Sequence, residues 1–124
     1  MLFINKLLSG EHLHRFLQVL FFWKNRGVFA MLEKNFHKNL VKELKYLFPD
    51  ALIFKNDAKQ GYPDILILRG NKWAALECKQ SENAPHRPNQ DWYVEKAGIM
   101  SFGAFVYPEN KQYVIENLKD YFLQ

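Results

Sequence analysis

The segment DILILRGNKWAALECK, residues 64–79, constrains the fold of this chain more than any other. Its two halves are rich in apolar residues and predict strands over residues 64–69 and 72–79. Gly70-Asn71 between them is a two-residue turn signal, so the strands are expected to form an antiparallel hairpin. The apolar residues of DILIL point to both faces, which further predicts a strand covered on both sides.

The rest of the chain supplies helices and two more strands around this hairpin. Pro49-Asp50 ends the first helix, and Gly61 and Pro63 mark a polar turn before the hairpin. The order is α-β-β-β-α-β-α, an α/β mixed sheet with helices on its faces. The predicted elements are a helix over 32–48, a strand over 51–55, a loop over 80–89, a helix over 90–100, a strand over 103–107 and an amphipathic closing helix over 110–123.

The predicted turn also fixes which residues of the hairpin face each other. If Arg69 lies opposite Lys72, counting back places Asp64 opposite Glu77. Directly opposed side chains point to the same face with their Cβ atoms about 5 Å apart. Lys79 follows Glu77 by two residues and joins that face. The sequence therefore predicts a cluster of two carboxylates and one ammonium group.

Two opposed carboxylates in a covered sheet are unfavourable unless something neutralises them. Mg²⁺ or Mn²⁺, which prefer oxygen ligands, would remove the conflict. Such a metal lowers the pKa of a bound water, and a nearby lysine can orient that water or stabilise the transition state. Singly, each residue has an ordinary interpretation as turn or strand chemistry, but the set of Asp64, Glu77 and Lys79 predicts metal-assisted hydrolysis.

Composition bounds the class of protein. The 124 residues suit one compact domain, and the net charge of +4 is compatible with a polyanionic partner such as nucleic acid. A single cysteine, Cys78, excludes an internal disulfide framework and a cysteine-rich zinc site. The apolar run FLQVLFFW, residues 16–23, is too short to span a bilayer, so we expect a soluble, cytoplasmic protein without a membrane partner.

Residues 1–30 differ from the domain predicted over residues 31–124. They are apolar and basic, contain one acidic residue (Glu11), and lack a clean helix or strand period. Two interpretations stay open: read-through upstream of a natural start at Met31, or an extra N-terminal helix over residues 11–24 that packs on the core or on a partner.

The motifs GYPDILIL and AALECKQ resemble the PD-(D/E)xK nuclease signature, with Pro63-Asp64 as PD and Glu77-Cys78-Lys79 as ExK. The order of elements resembles that superfamily's restriction-endonuclease-like α-β-β-β-α-β core, followed here by a C-terminal helix. The short core and Gln90 in the following helix resemble the VRR-NUC (virus-type replication-repair nuclease) group. The resemblance covers about residues 32–123.

The resemblance implies a role for each matched residue. Asp64, Glu77 and the backbone carbonyl of Cys78 would bind Mg²⁺ or Mn²⁺, and Lys79 would be the catalytic lysine. Gln90 would lie near the active site, with a plain polar helix start as the ordinary alternative. Such nucleases often add an acidic residue from the first helix; Glu33 is the first choice, Glu43 its rival, and a solvated helix face the alternative for both.

Other side chains receive weaker assignments. Cys78 points away from Glu77 and is expected to be a buried apolar group, not a nucleophile. Trp73, Trp92 and Tyr93 are interpreted as core or dimer-interface aromatics more than base-stacking platforms. Candidate phosphate contacts are Lys55, Lys59, Lys72, His86 and Arg87.

The resemblance implies a DNA endonuclease, and stand-alone VRR-NUC proteins are small, dimeric, phage- or bacteria-linked and active on branched DNA. We therefore expect a homodimeric, Holliday-junction-resolvase-like enzyme of DNA replication or repair, because two sites about a twofold axis suit a four-way junction. The alternatives are a restriction or defence nuclease on duplex DNA, a catalytically inactive nucleic-acid-binding module of the same fold, and an interaction protein whose basic surface is incidental.

Overall fold

The computed structural model describes residues 10–56 and 62–124. Within these ranges, two successive helices precede a four-stranded sheet of order β1-β2-β3-β4. The first three strands run antiparallel to their neighbours, and β4 runs parallel to β3 after a helical crossover. The elements are α1 (Gly10–Lys24), α2 (Arg26–Leu47), β1 (Leu52–Lys55), β2 (Ile65–Arg69), β3 (Lys72–Cys78), α3 (Pro88–Met100), β4 (Phe102–Val106) and α4 (Lys111–Leu123).

The β2–β3 hairpin has the predicted register, because Arg69 pairs with Lys72 and Ile65 pairs with Leu76. Its turn places Gly70 at a φ of 62°. A positive φ at the first central residue is the conformation for which a two-residue hairpin turn selects glycine. The mixed α/β sheet with helices before and after it confirms the restriction-endonuclease-like fold expected from the sequence.

Helices α2 and α4 cover one face of the sheet and enclose the core. The largest fully buried side chains there come from both helices and from alternate positions of the strands. They are Leu40, Leu44, Ile65, Ile67, Leu76, Cys78, Val106, Ile115 and Leu118. Burial of each such side chain contributes about 1.5–3 kcal/mol to the stability of the fold.

Helix α3 covers the other face, but only over β3 and β4. It approaches β4 so closely that a Cβ atom on Gly103 would collide with the carbonyl oxygen of Val94 and lie 2.7 Å from the amide nitrogen of Gly98. Glycine at position 103 therefore sets the spacing between α3 and the sheet. As a result β3 is buried on both faces.

The prediction that the strand DILIL is covered on both sides is wrong for half of its residues. Ile65 and Ile67 are fully buried, whereas Leu66 is 38% exposed and Leu68 is 37% exposed. The reason is that α3 does not extend over β2, so Leu66 and Leu68 on that face of β2 lie on an open half of the sheet. Leu52 and Phe54 of β1 are also exposed on this open half.

The N-terminal segment contains the helix allowed by one of the two interpretations, since α1 spans Gly10–Lys24. Several of its apolar side chains do not pack on the core as that interpretation allowed: Phe16, Leu17, Phe21 and Trp23 are all exposed. Whether residues 1–30 are native stays a prediction. Helix α2 continues upstream of the predicted start at residue 32 and begins at Arg26. No helix in the described part of the chain is long and apolar enough to cross a bilayer.

Candidate active site

The candidate site lies where β2 begins and β3 ends. The side chain of Asp64 turns onto β3, where its Oδ2 accepts a hydrogen bond of 2.8 Å from the backbone N–H of Cys78. The register that pairs Ile65 with Leu76 continues to Asp64 and Glu77, as expected from the two-residue turn. The two carboxylates therefore belong to neighbouring strands and face the same side of the sheet.

Glu77 is only 3% exposed, although it carries a carboxyl group. Its Oε1 accepts a 2.9 Å hydrogen bond from Nε2 of Gln90, and its Oε2 has no hydrogen-bond partner among the described residues. Burial, and next the negative charge of Asp64, raise the pKa of Glu77 to about 8. A buried carboxylate oxygen without a partner beside a second carboxylate favours either a shared proton or a cation.

Gln90 connects the acidic and basic members of the site. Its Oε1 accepts hydrogen bonds from Nζ of Lys79, at 2.7 Å, and from the backbone N–H of Arg87, at 2.9 Å. The amide therefore holds Lys79 and Glu77 together through opposite ends of one planar group. Pro88 in the first turn of α3 fits the helix start that positions this residue.

The sequence-predicted residues Asp64, Glu77, Lys79 and Gln90 are thus brought together in space. Their catalytic roles stay predictions. Gln90 is nevertheless more than a polar residue at a helix start, since it is buried and its side chain bonds to both Lys79 and Glu77. Cys78 points into the opposite core and is fully buried. Burial raises the pKa of its thiol, which agrees with the expectation that it is not a nucleophile.

Glu33 and Glu43, the two candidates on the first helix, have different surroundings. Burial raises the pKa of Glu33, and the charges of Lys79, Asp64 and Arg87 act on its carboxyl group. Glu43 instead forms an ion pair of 2.9 Å with Nζ of Lys111 on α4. Glu33 therefore stays the first choice for the acidic residue of the site, as a prediction.

In residues 10–56 and 62–124, no group of three His, Cys, Asp or Glu side chains lies together as a ready metal site. Glu33 is consequently near Asp64 and Glu77 without completing such a group. The donors suited to a cation are the two carboxylates, one of which has an unpartnered oxygen; the resemblance adds the backbone carbonyl of Cys78. This set of oxygen donors fits Mg²⁺ or Mn²⁺.

The residues predicted to contact phosphate have different surroundings. Lys55 ends β1 next to Ile65, near Asp64, and Arg87 acts electrostatically on Glu33. His86 stacks on Phe105 and its Nδ1 lies 2.8 Å from Oδ1 of Asp91, so it is held locally. Lys59 lies outside the described residues.

Lys72 lies at the other end of β3 from the cluster. It begins β3, about 17 Å of strand away from Glu77 at the usual rise per residue, and its Nζ donates to the backbone carbonyls of Tyr121 and Gln124. A cation at the end of α4 satisfies carbonyl groups that the helix leaves open. Lys72 thus has a structural role, and its contact with phosphate stays a prediction.

The aromatic assignments also change. Trp92 is 58% exposed and lies on the open side of α3, so it is not a core residue. The alternation of side chains along β3 places Trp73 on the face that carries Glu77, while α3 supplies Tyr93 from above that face. The sequence did not indicate these positions, because the period of α3 alone does not reveal how far the helix extends over the sheet.

Comparison with known proteins supports the fold. No family model matches the chain, and no curated protein matches it. A solved structure named "VRR_NUC domain protein" is similar, with a TM-score of 0.51 and 23% sequence identity over 72% of this chain and 86% of that chain. At this identity the likeness shows a shared restriction-endonuclease-like fold, the fold that carries the cluster of Asp64, Glu77, Lys79 and Gln90.

Proposed function

We propose that this chain is a metal-dependent endonuclease that hydrolyses phosphodiester bonds in DNA. The observation that carries the proposal is the buried Glu77, which has an unpartnered carboxylate oxygen beside Asp64 and shares Gln90 with Lys79. A module that only bound nucleic acid would gain nothing from two opposed carboxylates inside the fold, since their repulsion costs stability. The solved VRR_NUC domain protein, which shares the fold, supports the same class of reaction.

Asp64, Glu77 and the carbonyl of Cys78 would hold Mg²⁺ or Mn²⁺, with Glu33 nearby. When bound, the metal supplies charge neutralisation at the phosphate and a water of lowered pKa. The residues of the chain prepare the rest of the site. The hydrogen bond from the amide of Cys78 fixes Asp64, and the amide of Gln90 fixes Glu77 and Lys79 at either end.

Lys79 stabilises negative charge that develops on the phosphate during hydrolysis. Its ammonium group is buried and directed by Oε1 of Gln90, so little reorganisation is needed when charge appears. In a site that excludes water, such a cation contributes more than it would on an exposed surface. Gln90 acts through Lys79 and Glu77 and is therefore a positioning residue.

The expected substrate is branched DNA, cut by a homodimer in phage or bacterial replication and repair. This finer proposal comes from the resemblance of the PD…ExK motif and from the net charge of +4. A twofold pair of sites would suit the two cuts that resolve a four-way junction.

The test is cleavage of labelled four-way junction, flap, single-stranded and duplex DNA with Mn²⁺, Mg²⁺ or EDTA. Wild type is compared with Glu77→Gln, which keeps the size of the side chain and its contact with Gln90. We expect cleavage only by wild type and only with metal, with the junction cut fastest. Calorimetric titration of Mn²⁺ is the second readout, and Glu77→Gln should lose most of the binding.

Other outcomes separate the alternatives. Equal cutting of all substrates would keep the nuclease and remove the specificity for branched DNA, as expected for a restriction or defence enzyme. DNA binding without cutting by wild type and Glu77→Gln alike, together with no Mn²⁺ binding, would replace the nuclease by a binding module. Failure to bind DNA at all would leave an interaction protein.

A further inference from the structure

The open half of the sheet forms a groove of about 620 Å³ between α3 and strands β1 and β2. This volume lies within the range of about 300–1,000 Å³ that is usual for ligand sites. Its polar lining residues are Lys55, Lys96 and Asn56. Among the described residues, no carboxylate lines it. Five aromatic side chains form much of its wall: Phe54, Tyr62, Trp73, Trp92 and Tyr93.

The groove is continuous with the candidate active site. Pro63 lines the groove and is bonded to Asp64, while Ala75 lines it and precedes Glu77 by two residues on the same face of β3. A strand of nucleic acid with its phosphate at Asp64 and Glu77 would therefore place its neighbouring nucleotides along this surface.

The aromatic side chains nearest the site form a connected row. Tyr62 and Tyr93 meet edge to face with centroids 5.0 Å apart, and Tyr93 and Trp92 do so at 4.9 Å. Tyr62 is 45% exposed and Trp92 is 58% exposed, although both are large apolar groups. Exposed aromatics clustered in one concave surface indicate a binding site more than an accident of folding.

We propose that this groove binds unpaired nucleobases next to the phosphate that is cut, with Trp92 and Tyr62 as stacking surfaces. The proposal deepens the proposed function and rests on it, since it assigns the substrate as DNA with unpaired nucleotides at the cleavage point. Such nucleotides occur at flaps, branch points and single-stranded ends.

The chemistry of the lining favours nucleotides over another apolar occupant. A nucleobase stacks on any aromatic ring through its flat face, whatever its sequence. Lys55 and Lys96 both line the groove, and the phosphates that accompany each base would need cations of this kind.

The test measures the affinity of labelled DNA for protein that carries Glu77→Gln, so that binding is separated from cutting. The probes are a single-stranded oligothymidine of about ten nucleotides, an abasic strand of the same length, and a blunt duplex. Trp92→Ala should weaken binding of the thymidine strand about tenfold and leave the abasic strand unchanged. Trp92→Phe should keep most of the affinity, because the smaller ring still stacks.

Two matched controls sharpen the comparison. Trp23→Ala removes a tryptophan that is equally exposed on α1 and should leave every affinity unchanged. Lys96→Gln should weaken both single strands by a similar factor, with a shallower dependence on salt, because it removes a phosphate contact and no stacking surface.

Equal affinity for the thymidine and abasic strands would overturn the proposal, as would an unaltered affinity of Trp92→Ala for the thymidine strand. Conversion of a dimer to a monomer by Trp92→Ala in sedimentation, with unchanged DNA affinity, would assign the groove to a second copy. These failures leave metal-dependent cleavage by wild type intact. A failure of the nuclease proposal would leave the difference between thymidine and abasic strands intact.

Discussion

The two faces of the hairpin come from the same strands, but one face is buried and the other is partly exposed. On one face Ile65, Ile67 and Leu76 are fully buried beneath α2 and α4. On the other face Leu66 and Leu68 remain more than a third exposed, and the strand ends carry Asp64 and Glu77. A single alternating sequence thus supplies a core that holds the domain together and a surface that is available to a ligand.

Apolar character alone therefore does not identify the core. Leu66 and Ile67 are adjacent and chemically similar, yet only Ile67 contributes to the closed interior. Substitutions on the closed face should change stability, and those at the end of the other face should change activity. Three measurements test this division between the two faces.

The largest expected effect is on cleavage by Lys79→Met, which keeps much of the apolar stem and removes the charge. We expect a loss of about 1,000-fold in kcat, because one preorganised group that stabilises developing charge is worth about that much. Mn²⁺ binding should persist, since the carboxylates remain. Single-turnover cleavage and calorimetry measure the two quantities.

If Lys79→Met loses Mn²⁺ binding and cleavage together, the lysine supports the carboxylates instead of the reaction. Lys119→Met is the matched control, because it removes a lysine of α4 that pairs with Glu116 and lies outside the cluster and the groove. Its single-turnover cleavage of the same substrate should remain within a few-fold of wild type, because no reacting or DNA-binding group is changed.

The next largest effect separates the two faces by stability. Ile67→Ala should lower the free energy of unfolding by about 3 kcal/mol, because it leaves a cavity beneath two helices. Leu66→Ala should cost less than about 1 kcal/mol, since that side chain is already partly in water. Urea denaturation at one pH measures both, and equal costs would contradict the division.

A smaller effect concerns pH. Burial raises the pKa of Glu77 to about 8, above the value of the unfolded chain, so the folded metal-free protein binds a proton more readily. Stability contributed by that proton is complete below about pH 4.5 and is lost as the pH rises towards 8. Thermal unfolding with EDTA should therefore show a lower Tm at pH 8 than at pH 5.

Glu33 has a raised pKa as well and contributes with the same sign, so the comparison with Glu77→Gln isolates one group. That variant should have a flatter dependence of Tm on pH. Mn²⁺ should restore the Tm of wild type most strongly at high pH, where it no longer competes with the proton. A wild-type Tm that rises between pH 5 and 8 in EDTA would contradict the environment described for Glu77.

Much of the fold and site could be predicted because their signals are local. The two-residue turn fixed the register, and the register alone brought Asp64 opposite Glu77. The surroundings of the other candidates depend on residues distant in sequence. Glu43 pairs with Lys111 of α4, and Lys72 donates to a carbonyl near the end of α4. The open half of the sheet could not be predicted, because the sequence of an apolar strand does not reveal which helix, if any, covers each of its faces.

The glycine at position 103 has a consequence for the chemistry, although it contributes no side chain. It lets α3 rest against β4 backbone to backbone, and the same helix carries Gln90 at its other end. A side chain at position 103 is expected to push α3 away from the sheet and to displace Gln90 from Glu77 and Lys79. The alignment of the site thus depends on the clearance between a helix and a neighbouring strand, so one added methyl group there should lower activity without contacting the site.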